Sequence, residues 1–182
     1  MAGAGMTGQR ARWQRARRPG LPAALCGAVL LALGVAPPAA AAEPGPGPAP
    51  DFVLRSTRGD NLRLSEFRGQ TVILAFWADW CGECRGQLDA LAGLAARYAD
   101  RGVTLVTVNL DARGQAATDA ATRLGVTVLR DEAREVARAY DLPDLPFTLI
   151  VDPDGRVRTP RAEARDPDPA RLEAALARVV AE

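Results

Sequence analysis

A run of unbroken β-forming character, Thr71-Val72-Ile73-Leu74-Ala75-Phe76, leads straight into Trp77-Ala78-Asp79-Trp80-Cys81-Gly82-Glu83-Cys84. No other stretch restricts the fold as much. A strand apolar at nearly every position is covered on both faces, which calls for a sheet held between helical layers. From Cys84 to Tyr98, Leu88, Leu91, Leu94 and Ala95 recur at helical spacing, and Asp100-Arg101-Gly102 supplies a stop. The two cysteines thus stand at a strand-to-helix junction, at a spacing that closes a small disulfide.

The remaining pattern is of the same kind. Phe52-Val53-Leu54 and Asn61–Leu64 flank the turn Arg58-Gly59-Asp60 and predict a hairpin, and Ser65–Gly69 predicts one helical turn. Val103–Val108 and Val126–Leu129 read as strands, Gln115–Leu124 and Glu132–Tyr140 as helices. Phe147–Val151 and Arg156–Arg158 flank Asp152-Pro153-Asp154-Gly155 and predict an antiparallel pair. A last helix follows Pro169, with Leu172, Leu176, Val179 and Val180 as its apolar stripe. Strands alternating with helices predict one three-layer α/β domain with a central mixed sheet and an N-terminal β-hairpin.

The front of the chain has a different character. Residues 1–18 hold five arginines and no acid, Leu21–Val35 is almost wholly Ala, Leu, Val and Gly, and Ala39–Ala42 offers small residues before Glu43. This is the order of an export signal, expected over residues 1–42 as a cleaved signal peptide or an uncleaved signal anchor that tethers the protein to the membrane. Arg17-Arg18 also fits twin-arginine export, although Pro19 follows directly and the general route fits better. Residues 43–50 alternate Pro with Gly and Ala and read as a linker, which leaves 51–182 as the domain. The address is periplasmic or otherwise extracytoplasmic. Loss of residues 1–42 takes the 23 basic residues to 18 against 22 acidic ones, a net charge of −4. Nucleic-acid binding therefore has no basic surface to rest on.

Cys81 is the expected nucleophile. Beside the free N–H groups of a helix N-terminus its sulfur is favoured as a thiolate, and Cys84, further in, is placed to resolve a mixed disulfide. A purely structural bridge would gain little from so short a loop. Zinc would need ligands beyond one cysteine pair in a chain without histidine, so no metal and no cofactor is expected. Glu83 opposes thiolate formation at Cys81, which leans toward a reductant. Trp80 is the expected rim residue, with Gly82 beside it, while Trp77 alternates with Ala75 toward the core. Pro146, just ahead of a strand, needs a reason, since proline gives no ladder hydrogen bond. A cis bond there would leave the backbone of Leu145 free to pair with an extended substrate.

Strand, Trp-Cys-x-x-Cys, helix and a later Pro before a strand–turn–strand resemble the thioredoxin fold. More narrowly, from about Pro50 onward the chain resembles the exported TlpA/ResA group within the wider AhpC/TSA–Redoxin-like superfamily. The matching stretches are Ala75–Arg85, Val106–Asp111, Tyr140–Leu142 and Leu145–Arg156. The resemblance implies a periplasmic or membrane-tethered protein thiol–disulfide oxidoreductase of the cytochrome c or copper-centre assembly type. By it, Cys81 attacks, Cys84 resolves and Pro146 is a cis-proline facing them. The implied partners are a protein disulfide, such as an apocytochrome c or a copper-site protein, and a membrane dithiol donor.

Several positions depart from the group. Glu83 stands where proline is common, Gln87 where a proton-handling glutamate is frequent, and Asp89 where a helix-kinking proline is usual. Phe147 replaces a common threonine beside Pro146 and is expected to alter the substrate rim. A net oxidant or isomerase, and a binding or copper-delivery module with an idle disulfide, are the competing readings.

Overall fold

A computed structural model describes residues 47–111, 115–165 and 168–182. The expected export segment and residues 43–46 of the expected linker lie outside them. In chain order the elements are β1 (Val53–Ser56), β2 (Asn61–Arg63), β3 (Thr71–Trp77), α1 (Cys84–Arg97), β4 (Val103–Asn109), α2 (Gln115–Leu124) and β5 (Thr127–Arg130). They continue with α3 (Glu135–Ala139), β6 (Phe147–Val151), α4 (Arg161–Ala164) and α5 (Pro169–Val180). Short 3-10 turns at Leu64–Phe67 and Ala99–Arg101 join them.

The six strands form one mixed sheet in the order β2-β1-β5-β4-β3-β6. β3 runs parallel to β4 and antiparallel to β6, with Phe76 opposite Phe147. β1 and β2 make the expected hairpin and join the sheet through β5. Every residue of β3 is buried, as its composition demands. The pleat sorts its side chains: Val72, Leu74 and Phe76 enter one core and Ile73, Ala75 and Trp77 the other. Leu88, Leu91 and Leu94 of α1 cover the second face with residues of α2 and α5, and residues of α3 and α4 cover the first. The result is the three-layer, thioredoxin-like α/β architecture.

Turn chemistry stops the elements where backbone sterics require it. Gly102 (φ 74°) ends the turn after α1, in a left-handed conformation that costs glycine nothing. Gly155 (φ 72°) does the same in the Asp152–Gly155 turn, closed by its N–H to the Asp152 carbonyl at 2.8 Å.

Three expectations change, and one element is added. The strand expected at Arg156–Arg158 shrinks to a single bridge, Val151 to Val157, because the Ile150 N–H, which would carry the ladder on, goes instead to Thr159 Oγ1 at 2.7 Å. Residues 47–50 are docked on the domain: Pro48 bridges Arg156, the Val157 N–H reaches the Gly47 carbonyl at 2.8 Å, and the Ala49 N–H reaches the Gly155 carbonyl at 2.9 Å. The helix expected at Glu132–Tyr140 begins only at Glu135, because the Asp131 carboxylate accepts from the Glu135 and Ala137 N–H groups, both at 2.8 Å. The single turn of α4, started by Pro160, carries too few residues for a periodic signal.

Candidate active site

The end of β3 sets the site. Trp77 is the last strand residue, and the chain then turns through Ala78-Asp79-Trp80. Asp111, just past β4, holds this turn: its Oδ2 accepts from the Asp79 N–H at 2.9 Å and from Asn109 Nδ2 at 2.7 Å. Asn109 is fully buried, so the anchor is fixed from below. The Cys81 N–H then donates to the Ala78 carbonyl at 3.2 Å, and the Cys84 N–H to the Cys81 carbonyl at 3.2 Å.

Cys81 and Cys84 are joined in a disulfide, with Cα atoms 5.4 Å apart. Cys84 is the first residue of α1 and is 1% exposed, whereas Cys81 keeps partial access to solvent. The helix cap is Glu83, not Cys81. The turn Cys81–Cys84 precedes the first helical hydrogen bond, Gln87 N–H to Glu83 carbonyl at 3.2 Å, so Cys81 lies just ahead of the helix instead of on its cap. Glu83 and Gly82 are both exposed. Asp79 is paired with Arg85 at 3.2 Å, whereas Glu83, the charge between the cysteines, meets no cation among the described residues.

The two tryptophans separate as expected. Trp77 is buried among α1 residues, while Trp80 is 61% exposed, with the Arg134 guanidinium 5.7 Å from its ring centre. Arg134 sits at the start of α3, far away in sequence, and no local pattern marks it as a site residue. Leu145–Pro146 is a cis peptide. The antiparallel register of β3 and β6 ends with Phe76 opposite Phe147, the residue after Pro146, and Cys81 and Leu145 both pack against the core cluster that contains Cys84.

Two neighbours, Leu145 and Phe147, differ from expectation, and Gln87 and Asp89 take defined partners. The Leu145 N–H donates to Asp144 Oδ1 at 2.9 Å, so the loop's own side chain already occupies that donor. Phe147 is fully buried with its ring 6.2 Å from Phe76; the alternation that sends Leu149 and Val151 to the same core sends it inward, and its side chain forms no rim. Gln87 is half-buried and donates from Nε2 to Thr148 Oγ1 at 2.8 Å, tying α1 to β6. At Asp89 the helix continues without a break, and the carboxylate pairs with Arg123 of α2.

Among the described residues, two depressions adjoin the turn that carries the disulfide. One of about 540 Å³ opens beside Cys81 between α1 and α2, with Asp79, Arg85, Asp119 and Arg123 on its walls. The other, of about 380 Å³, lies between Trp80, α3 and the loop before Pro146.

Residues 47–159 match the AhpC/TSA family. The chain belongs to that family. Among curated proteins it is similar to the thiol-disulfide oxidoreductase ResA of Bacillus subtilis, at 35% identity over 111 residues, 60% of this chain and 62% of that one. ResA of Geobacillus kaustophilus gives 35% identity over 112 residues and 64% of its length. The chain therefore spans somewhat less than two thirds of these relatives. Among solved structures it resembles a chain from Chlorobium tepidum assigned as a thiol:disulfide interchange protein of the DsbE type. That match has a TM-score of 0.68 and 30% identity, and covers 75% of this chain and 97% of the other. As an AhpC/TSA member, the chain presents its cysteine pair at the end of a buried central strand.

Proposed function

We propose that the chain is a protein thiol–disulfide oxidoreductase that works through Cys81 and Cys84. The placement of the two sulfurs carries this reading: one is accessible, one is buried behind it, and the pair is joined at a strand-to-helix turn. In the reduced chain the Cys81 thiolate attacks a substrate disulfide, forming a mixed disulfide and expelling one substrate thiolate. Cys84 then attacks the Cys81 sulfur, re-forms the internal bridge and releases the second thiolate. Two electrons pass to the substrate, which takes up two protons.

Net reduction is the favoured direction. Cys81 stands ahead of the helix cap, and the charge between the cysteines is the exposed carboxylate of Glu83. Both leave its thiolate less stabilised, and a weakly stabilised dithiol gives up electrons more readily. The similarity to ResA proteins and the N-terminal sequence pattern support an extracytoplasmic reductant, periplasmic or membrane-tethered. Its substrate would be a disulfide of an apocytochrome c or a copper-site protein, and a membrane dithiol donor would recharge it.

The test is a Cys84→Ser chain, which should trap partner proteins through Cys81 as mixed disulfides that a reductant dissolves. Absence of any such adduct in an extracytoplasmic extract would refute the exchange reading. A potential below about −200 mV would support reduction, and one near −120 mV would reverse the direction.

A further inference from the structure

The depression between Trp80, α3 and the loop before Pro146 is lined by two arginines, Arg134 and Arg138. Arg134 lies over the Trp80 ring, and Arg138 follows one turn later, its N–H donating to the Arg134 carbonyl at 3.1 Å. Among the described residues neither guanidinium meets a carboxylate; Arg138 Nη1 goes only to the Ala133 carbonyl, at 2.9 Å. Of the acids on the same wall, Asp141 pairs with Arg161 at 2.9 Å, which leaves Asp144, its Oδ1 accepting the Leu145 N–H, as one carboxylate against the two guanidiniums.

Arg134 is also held in a conformation that a residue with a side chain rarely adopts, φ 55° and ψ 32°. Its N–H is fixed to the Asp131 carbonyl at 2.9 Å, while the Asp131 carboxylate caps α3. Strain maintained by surrounding structure beside a reactive centre points to a function for the residue so placed. Two like charges one helical turn apart disfavour each other, and a carboxylate between them removes that cost. Half-buried Leu142 and Leu145 and the exposed Trp80 ring give the same depression an apolar floor. Residues 43–182 carry a net charge of −4 (18 basic against 22 acidic), so a depression with two arginines against the one carboxylate of Asp144, beside the Asp141–Arg161 pair, is a local exception, and such charge complementarity fixes the register of a bound chain.

We propose that Arg134 and Arg138 select the substrate: the groove takes an extended segment of an oxidised protein with an aspartate or glutamate beside its reactive cysteine. The inference rests on the exchange reading above and adds the substrate's chemistry to it.

Synthetic peptides with one internal disulfide, identical except for Asp, Asn or Lys next to one cysteine, provide the test. Their reduction by the reduced full-length chain is timed and divided by their rate with dithiothreitol, which removes intrinsic differences. The Asp peptide should react about tenfold faster than the Lys peptide at low ionic strength, with Asn between them and the ratio falling as salt is added. In the Arg134→Gln/Arg138→Gln chain the ratio should fall to within about twofold, while Arg171→Gln, on exposed α5 surface, should retain it. Equal normalised rates in the unaltered chain, or a preference that survives the double substitution, overturns the inference and leaves the exchange reading standing. No reduction of any peptide overturns both.

Discussion

Gln87 donates from Nε2 to the Thr148 hydroxyl at 2.8 Å, joining α1 one turn beyond Cys84 to the strand that starts right after cis-Pro146. An amide at this place holds the two halves of the site together without carrying a charge. A carboxylate there would add a proton site beside the buried sulfur, so the contact bears on proton supply as well as on geometry.

The Gln87→Glu chain should gain a titrating group, raised above the ordinary glutamate value of about 4.3 by partial burial. The check is the pH profile of Cys84 alkylation in the reduced protein, which should acquire an extra inflection absent from the unaltered chain. Superimposable profiles would refute the idea. Gln87→Leu should cost about 1–3 kcal/mol in denaturant unfolding, because it leaves the buried Thr148 hydroxyl without its donor.

Reduced protein exposed briefly to iodoacetamide should be labelled at Cys81 at least about tenfold faster than at Cys84, since the thiolate with access reacts first. Mass spectrometry of the digested chain reads the ratio. Equal labelling would mean that the 1% exposure of Cys84 does not persist once the bridge opens.

Trp80→Ala should slow exchange with protein disulfides about tenfold, through loss of apolar contact at the rim. It should leave folding stability within about 0.5 kcal/mol, because the ring is mostly in solvent. A large loss of stability with unchanged exchange would reverse the assignment.

Tyr140 gives the pH prediction. Its ring is buried 5.2 Å from Phe76, and its hydroxyl donates to the Pro50 carbonyl at 2.8 Å. Burial, with the Asp51 carboxylate adding to it, pushes the phenol well above its ordinary value. A phenol that holds its proton more tightly when folded contributes stability in full below about pH 10, and that contribution is lost as pH rises toward the folded value. Unfolding free energy should therefore decline above about pH 10, and Tyr140→Phe should flatten that decline while costing about 1 kcal/mol at neutral pH. An alkaline decline of equal slope in both chains would count against it.

Sequence reading recovered what depends on local period and missed what depends on distant partners. β3, α1 and α5 were visible because their apolar residues repeat at a spacing that only one kind of element satisfies. Cys81 and Cys84 were visible because a strand and a helix fix where the pair must lie. Phe147 was misplaced at the rim because adjacency to Pro146 in the chain says nothing about which face of β6 a side chain takes. Pairing with β3 decides that, and it sends Phe147 inward. Residues 47–50 looked unanchored because they have little apolar surface; they are held by backbone groups, which leave no trace in composition. Arg134 escaped notice for a third reason: its position over Trp80 arises from tertiary packing of α3, and nothing near the cysteines announces it.

The docking of Gly47–Pro50 has a mechanical consequence. Pro48 meets the chain at Arg156, past the end of β6 remote from Pro146, and the five residues of β6 separate the two by roughly 17 Å. Force applied through the N-terminal side of Gly47 would thus be taken up first by the Gly47–Val157 and Ala49–Gly155 backbone bonds. The redox turn lies at the opposite pole and would bear none of that first load. Immobilised from its N-terminal side, the domain would present its sulfur outward, like a tool gripped by the handle.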